Sequence, residues 1–111
     1  MAEPGVTATG AALDAIDELR ALHGPLVFFQ SAGCCDGSLP ICLEAGELPP
    51  GPGDELLGEP GGAPFYIDGD LHRRWGSPPL VLDLSPGAPE GFSLGPGRAH
   101  FVTRPAPRRG A

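Results

Sequence analysis

The chemistry of this sequence is concentrated in three cysteines that fall within nine residues, Cys34, Cys35 and Cys42. Adjacent cysteines in an extended strand would point to opposite sides. A loop bounded by Gly33 and Gly37 can instead turn both side chains inward, because glycine adopts backbone conformations that other residues avoid. Cys42 is close enough in sequence to join them. A three-thiolate site of this kind suits Zn²⁺, iron or Cu(I).

Three interpretations of these cysteines are open from the residues alone. A metal would take its fourth ligand from Asp36, a histidine or water. His100 is the best histidine candidate, because its strand is expected to pack beside the strand that precedes the loop. A reactive thiol at Cys34 or Cys35 could instead form a disulfide with Cys42. All three could also be inert, since free cysteine packs like a small hydrophobe. The spacing is not CxxC, which would indicate metal or redox chemistry more strongly.

The remaining polar residues give weaker signals. His23 fits the C-terminal end of a helix, where a positive charge is favourable. His72 is expected to be solvated on a short helix, and Asp83 to face solvent between two leucines. No Ser-His-Asp spacing, phosphate-binding loop or glycosidase-like carboxylate pair stands out. The sequence therefore favours a role other than catalysis, although it leaves enzymatic activity open.

The charge balance excludes several classes of partner. The net charge is −7, with seven basic residues against fourteen acidic ones. Without clustered Lys and Arg outside the tail, nucleic acid is not an expected partner, and an acidic surface disfavours anionic membranes. No apolar run approaches the roughly 18–20 residues that span a bilayer. The N-terminus lacks the features of a signal peptide. We therefore expect a cytoplasmic protein, with its thiols reduced.

The 18 glycines and 15 prolines would by themselves suggest disorder. However, the chain contains no Lys and no Asn, as expected of a G/C-rich genome. Where apolar periodicity persists, we therefore expect folded structure. The pattern predicts a flexible N-terminus at residues 1–5, a single domain at 6–104 and a disordered tail at 105–111.

The elements within that domain indicate an α+β fold. Thr9 is predicted to cap a helix that ends at Gly24, with an apolar stripe made of Ala12, Leu13, Ile16, Leu19 and Leu22. Asp68 is predicted to cap a short helix through residue 75. Strands are predicted at 26–29, 41–45, 55–58, 64–67, 80–84, 91–94 and 99–102. Core aromatic residues are expected at Phe65, Trp75, Phe92 and Phe101. One main N-terminal helix with small mixed or antiparallel sheets is the predicted architecture.

A family resemblance is carried by the segment at residues 6–9, by the helix that follows it, and above all by residues 30–38. The last segment reads Gln-Ser-Ala-Gly-Cys-Cys-Asp-Gly-Ser and is followed by Pro40 and Cys42. The chain resembles the bacterial family catalogued as domain of unknown function 779, from about Val6 to Arg104. This resemblance implies a frequent genomic pairing with aldehyde dehydrogenases. It therefore implies an accessory role beside such an enzyme.

A fainter resemblance is to the A-type, HesB/IscA-like iron–sulfur carriers. Their Gly-Gly-Cys-Ser-Gly loop is similar to residues 32–34, and a later stretch is similar to residues 65–68. The resemblance implies a compact β-sandwich-like fold. Those carriers end in a paired-cysteine motif, whereas this chain has Thr103-Arg104-Pro105 in the corresponding region and no cysteine after Cys42. An iron–sulfur cluster is therefore less expected than Zn or iron held by Cys34, Cys35 and Cys42.

The hypothesis with most support at this stage is a small metal-binding accessory protein associated with an aldehyde dehydrogenase. The alternatives are a thiol-redox or thiol-transfer protein that acts through Cys34 or Cys35, and a purely structural interaction module. Exposed strand edges and many large apolar residues in a small chain also predict association. We expect a homodimer, or a stable complex with the dehydrogenase.

Overall fold

Two β-sheets and one long helix enclose the core of the computed structural model, which describes residues 5–30, 40–47, 49–76, 78–87 and 99–105. The strands are Val6–Ala8 (β1), Leu26–Gln30 (β2), Ile41–Glu44 (β3), Asp54–Gly58 (β4), Phe65–Asp68 (β5), Leu80–Pro86 (β6) and Ala99–Pro105 (β7). The helices are Gly10–His23 (α1) and Gly69–Arg74 (α2), and a single 3₁₀ turn covers Pro60–Gly62.

Each sheet mixes parallel and antiparallel pairs. The three-stranded sheet has the order β1-β6-β7, with β1 parallel and β7 antiparallel to β6. The four-stranded sheet has the order β3-β2-β5-β4, with β2 parallel to β5 and the outer strands antiparallel to their neighbours. The predicted α+β class, with mixed sheets and one main N-terminal helix, is confirmed.

Helix α1 begins and ends where its capping residues predict. The Thr9 hydroxyl accepts a hydrogen bond from the Ala12 amide at 3.2 Å, which satisfies one of the free donors of the first turn. At the other end Gly24 has φ 81°, and its amide donates to the Arg20 carbonyl. Both predicted boundaries are confirmed.

The buried face of α1 is narrower than the predicted stripe. It consists of Ala12, Ala15, Ile16 and Leu19, which is the i, i+3, i+4, i+7 pattern of one helix face. Leu13 and Leu22 fall on either side of this face and are 37% and 72% exposed. The predicted apolar stripe therefore extends beyond the buried face at both edges, whereas Ala15, which the stripe did not include, is buried.

The main core lies between the sheets and α1, and its centre is aromatic. Phe28 of β2 stacks on Phe65 of β5 with ring centroids 5.8 Å apart. Phe101 of β7 meets Phe28 edge-on at 4.9 Å, so the two sheets touch at this ring. Trp75 was expected in the core but is 40% exposed. It follows the last residue of the short helix α2, and its large indole is a side chain that is rarely buried completely.

Strand β2 is buried on both faces, as its continuous apolar run predicts. On the side away from the main core, Val27 and Phe29 pack with Leu43 of β3 in a second apolar cluster. Phe29 also stacks on Tyr66 of β5 with centroids 5.5 Å apart. The four-stranded sheet therefore has apolar packing on both sides of β2.

The shorter elements also follow local sequence signals. The Asp68 carboxylate accepts hydrogen bonds from the amides of Asp70 and Leu71, capping α2 as predicted. Gly5 is already hydrogen-bonded, since its amide donates to Leu57 and its carbonyl accepts from Leu80. The predicted strand at 91–94, Phe92, residues 1–4 and residues 106–111 lie outside the described residues. In the described part of the chain, no helix is long and apolar enough to cross a membrane.

The 3₁₀ turn packs so closely on α1 that one of its glycines has no room for a side chain. Gly61 has φ 61°, a left-handed conformation that disfavours residues with a Cβ. A Cβ there would lie 2.9 Å from Cγ2 of the buried Ile16. The same turn is fixed from the helix side, because the Arg20 guanidinium donates to the Gly61 carbonyl at 2.8 Å.

We therefore expect Gly61→Ala to lower the free energy of unfolding by about 2–5 kcal/mol, through left-handed strain together with overpacking. Gly76→Ala is the matched control, because Gly76 also has positive φ (86°) but no described atom within 4 Å of its missing Cβ. It should cost only about 1–2 kcal/mol. Urea unfolding measures both values, and equal losses would contradict the close packing of the turn on Ile16.

Candidate functional site

The hairpin formed by β2 and β3 carries the cysteines. These strands are antiparallel, with Phe28 opposite Cys42 and Phe29 opposite Ile41. Residues 31–39 join them and contain Cys34 and Cys35 together with Asp36. These three candidate ligands lie outside the described residues. Among the predicted cysteine ligands, the structure therefore describes Cys42.

Cys42 lies in the main core and is completely inaccessible to solvent. Burial raises the pKa of its thiol to about 12, because a low-polarity environment disfavours the charged thiolate. At neutral pH the thiol is therefore protonated, and a protonated thiol is a poor nucleophile. A directly coordinated cation reverses this preference, since a thiol that binds Zn²⁺ loses its proton. Cys42 is thus suited to packing or to metal binding, and poorly suited to attack on a substrate.

A buried polar pair lies beside Cys42, at the end of β2. Gln30 is the last residue of that strand and is only 1% exposed. The Thr103 hydroxyl of β7 donates to Gln30 Oε1 at 2.7 Å, across the space between the two sheets. Gln30 and Phe28 are two residues apart, so their side chains lie on the same face of β2. Cys42, paired with Phe28, shares that face.

His100 lies elsewhere than the sequence suggested. Its strand β7 pairs with β6 in the three-stranded sheet and meets β2 face to face, through Phe101 and Thr103. Because side chains alternate along a strand, His100 is on the face of β7 opposite Phe101 and Thr103. Its Nδ1 is 3.0 Å from the Gly87 carbonyl, to which it donates. Its strand packs against β2, as expected, but it does so from the other sheet and with His100 on its far face.

Among the described residues there is no group of three or more His, Cys, Asp or Glu side chains that could hold a metal ion. The structure thus does not bring His100 and Cys42 together into one ligand set. Any centre at Cys42 therefore needs donors from outside the described residues or from another molecule.

The other two histidines have structural contacts. His23 ends α1, and its Nδ1 is 3.1 Å from a Glu44 carboxylate oxygen of β3, which fits the predicted role at a helix terminus. His72 was expected to be solvated but is 8% exposed. Its Nε2 donates to the Pro78 carbonyl at 2.7 Å. The chain after α2 folds back over this side of the helix, a contact between residues six apart that helical periodicity does not reveal.

Asp83 of β6 forms a charged cluster that sequence reasoning missed. Its carboxylate accepts hydrogen bonds from Arg104 at 2.8 Å, from the Thr9 hydroxyl at 2.7 Å and from the Leu84 amide at 2.8 Å. These contacts, that of Arg104 foremost, lower the pKa of Asp83 to about 2. The side chain is 24% exposed, so the expectation of a solvent-facing carboxylate holds only in part.

Comparison with known families assigns the chain. A family model described as "Domain of unknown function (DUF779)" matches residues 15–106. The chain belongs to this family. A crystal structure of IscA with the [2Fe-2S] cluster is also similar, with 20% sequence identity, a TM-score of 0.48, and coverage of 90% of this chain and 84% of that one. Both similarities noted in the sequence are therefore found. No curated protein matches the chain.

The DUF779 match begins inside α1 and extends through the end of β7. It therefore includes the cysteine loop, Cys42, and the Gln30–Thr103 pair. Thr9 and β1 precede it, although Thr9 is hydrogen-bonded to Asp83 within the matched range.

The lowered pKa of Asp83 makes a prediction about acid stability. A carboxylate with a depressed folded-state pKa contributes stability above its unfolded pKa, near 4, and loses that contribution as pH falls through about 2. The unfolding free energy of the native chain should therefore fall more steeply between pH 4 and pH 2 than that of Asp83→Asn. Chemical unfolding at several pH values measures both slopes. Asp70→Asn, on the surface of α2, is the control, and identical slopes for native chain and Asp83→Asn would contradict the assignment.

Proposed function

We propose that this protein is a small metal-binding accessory protein, in which Cys34, Cys35 and Cys42 hold Zn²⁺ or iron. The observation that carries the proposal is the setting of Cys42. Its sulfur belongs to a strand that starts directly after the loop with the other two cysteines, and it is fully buried in the core. Two further sulfurs within nine residues supply the donors that a soft or borderline metal prefers.

The chemistry of the buried thiol favours metal over thiol exchange at Cys42. Thiol–disulfide exchange requires thiolate at the attacking sulfur, and burial raises the pKa of Cys42 to about 12. A bound cation would offset the cost of a buried thiolate, and it would add folding stability because it binds the native hairpin and not the unfolded chain. Redox chemistry would have to start at Cys34 or Cys35. Thiol transfer is therefore the alternative that the experiments below must separate.

The fourth ligand follows from what the described residues leave accessible. His100 is on the opposite face of β7 from the side that meets β2, and its Nδ1 donates to Gly87. Asp36 or water is therefore the better candidate within one chain. His100 would become a ligand if it came from a second molecule.

Protein purified anaerobically and without a polyhistidine tag should contain about one equivalent of metal per chain or per dimer, measured by inductively coupled plasma mass spectrometry. We expect Cys34→Ser, Cys35→Ser and Cys42→Ser each to lower this value, because a hydroxyl replaces a thiolate poorly as a ligand for these metals. Substoichiometric metal that none of the three substitutions changes would rule out the proposal. Selective alkylation of Cys34 or Cys35 near pH 6 in such a preparation would instead support thiol transfer.

Cys42→Ser also places a hydroxyl in the core, which could lower metal content by unfolding the chain. Ala63→Ser is the matched control, since Ala63 is equally buried in the same core cluster. Cys42→Ala removes the sulfur without adding a polar group. Metal loss in both Cys42 variants, with metal retained in Ala63→Ser, identifies the sulfur as the cause.

We further propose that the protein acts beside an aldehyde dehydrogenase, as its family resemblance implies, and that it associates through its apolar surface. Leu22, Leu56 and Trp75 are 72%, 52% and 40% exposed, and tryptophan is common at the energetic centres of interfaces. Sedimentation velocity of the chain, alone and co-expressed with a dehydrogenase, should show a dimer or a joint complex. Trp75→Ala should weaken that species and Leu13→Ala should not. A monomer at high concentration that fails to co-sediment would contradict association.

A further inference from the structure

The outward face of α1 combines negative charge with an exposed leucine. Asp14 and Glu18 lie one helical turn apart, Leu22 lies one turn further on, and Asp17 is beside them, because residues three and four apart share a helix face. All four side chains are exposed. None of the three carboxylates forms an ion pair with a described residue. Arg20, which is close to them in sequence, donates instead to a carbonyl of the 3₁₀ turn. These four residues are called the acidic face of α1.

The end of α2 has the opposite character. Arg74 is the last residue of that helix and Trp75 follows it, and both are exposed. Each of the other arginines that the structure describes bonds to an acidic side chain or to a backbone carbonyl. Arg74 makes no such contact with a described residue. The Arg–Trp end of α2, as these two residues are called, therefore presents an uncompensated cation beside an indole, and arginine and tryptophan are both enriched among the residues that dominate interface energies.

Within one chain the two surfaces belong to different parts of the fold. Helix α1 packs against β2 and β6, whereas α2 packs against β5. Arg74 accordingly forms no ion pair with the acidic face of its own chain. Between two copies the same groups are complementary, since the guanidinium matches the carboxylates of Asp17 and Glu18, and the indole matches Leu22.

We infer that a second copy of this chain docks through these surfaces, with the Arg–Trp end of α2 on one protomer against the acidic face of α1 on its partner. A twofold arrangement uses both contacts at once and closes the assembly as a dimer. The inference rests on the association proposed above and identifies its partner, and it involves no metal.

The net charge makes local complementarity necessary. Two copies that each carry a charge of −7 repel one another overall. Association therefore needs a contact at which opposite charges meet, and the acidic face of α1 supplies the negative side of such a contact. Arg74 supplies the positive side, and both surfaces are present on every copy.

Charge reversal tests the contact by sedimentation velocity and equilibrium of the full chain in the presence of chelator. We expect Arg74→Glu and Glu18→Arg each to weaken dimerisation about tenfold or more, because each places like charges opposite one another. The double variant with both changes restores opposite charges at both contacts and keeps the native net charge. It should recover the native dimerisation constant, which also excludes misfolding as the cause of the single effects.

Glu47→Arg is the matched control, since Glu47 is exposed in the turn after β3. Glu47→Arg and Glu18→Arg both raise the net charge by two, which reduces the general repulsion between copies. If net charge alone governed association, both changes would strengthen it equally. The inference requires that Glu18→Arg weakens dimerisation while Glu47→Arg leaves it unchanged or stronger.

Two outcomes would overturn the inference. A dimer that neither Arg74→Glu nor Glu18→Arg weakens would leave association standing and place its interface elsewhere. A chain that is monomeric alone at high concentration, and that sediments as a complex only with a co-expressed dehydrogenase, would show that the occupant is not a second copy. Metal content is measured separately on the same preparations, so the failure of either proposal is distinguishable from the failure of the other.

Discussion

The contact of Phe28 with Phe65 and Phe101 is the interaction on which the rest of the structure depends. Phe65 belongs to the same sheet as Phe28, whereas Phe101 belongs to the other sheet. Beyond the burial of apolar area, aromatic pairs of this kind contribute about 0.5–1.5 kcal/mol each. The Phe28 ring, which contacts both, sets the distance between the two sheets. Helix α1 buries its alanine-rich face in the core that they form. Because Cys42 is paired with Phe28, the environment of the sulfur is a direct consequence of this packing.

The fold shifts the pKa values of two side chains in opposite directions. Burial raises the pKa of Cys42, whereas hydrogen bonds from Arg104 and Thr9 hold the pKa of Asp83 low. Asp83 is consequently ionised across the physiological range and connects the start of α1 to the three-stranded sheet. Cys42 is neutral over the same range. Cys42, the described part of the candidate site, is therefore uncharged, and the chemistry of the site depends on the residues of the cysteine loop.

Local signals predicted the elements well, and contacts made by the connections and by the strand register explain what they missed. Thr9, Gly24 and Asp68 act within a few residues of themselves, so the sequence reveals their capping roles. The run at residues 26–29 similarly identifies a strand buried on both sides. The burial of His72 depends on the Pro78 carbonyl, and the Asp83–Arg104 contact depends on the register between β6 and β7. Neither can be inferred from spacing along the chain.

The same limit applied to the candidate site. The clustering of cysteines was visible in the sequence, and so was the place of Cys42 in a strand. The place of β7 in the other sheet was not visible, nor was the fact that the face of β7 meeting β2 carries Phe101 and Thr103 and not His100. Gln30 was passed over as the residue after an apolar run. A glutamine that ends a strand buried on both faces is itself a signal, since it needs a partner inside the protein.

The apolar character of both faces of β2 creates a problem of register that Gln30 resolves. A strand with one polar face has its register fixed, because a slip of one residue exposes its apolar side chains. In β2 such a slip would exchange Phe28 for Phe29, and both sides of the strand would remain apolar. Gln30, however, would leave Thr103 and enter the cluster of Val27 and Leu43 as an amide deprived of this donor. The buried hydrogen bond therefore discriminates between registers that hydrophobicity alone leaves close in energy. Since Cys42 is paired with Phe28, it lies on the same face of the hairpin as Gln30.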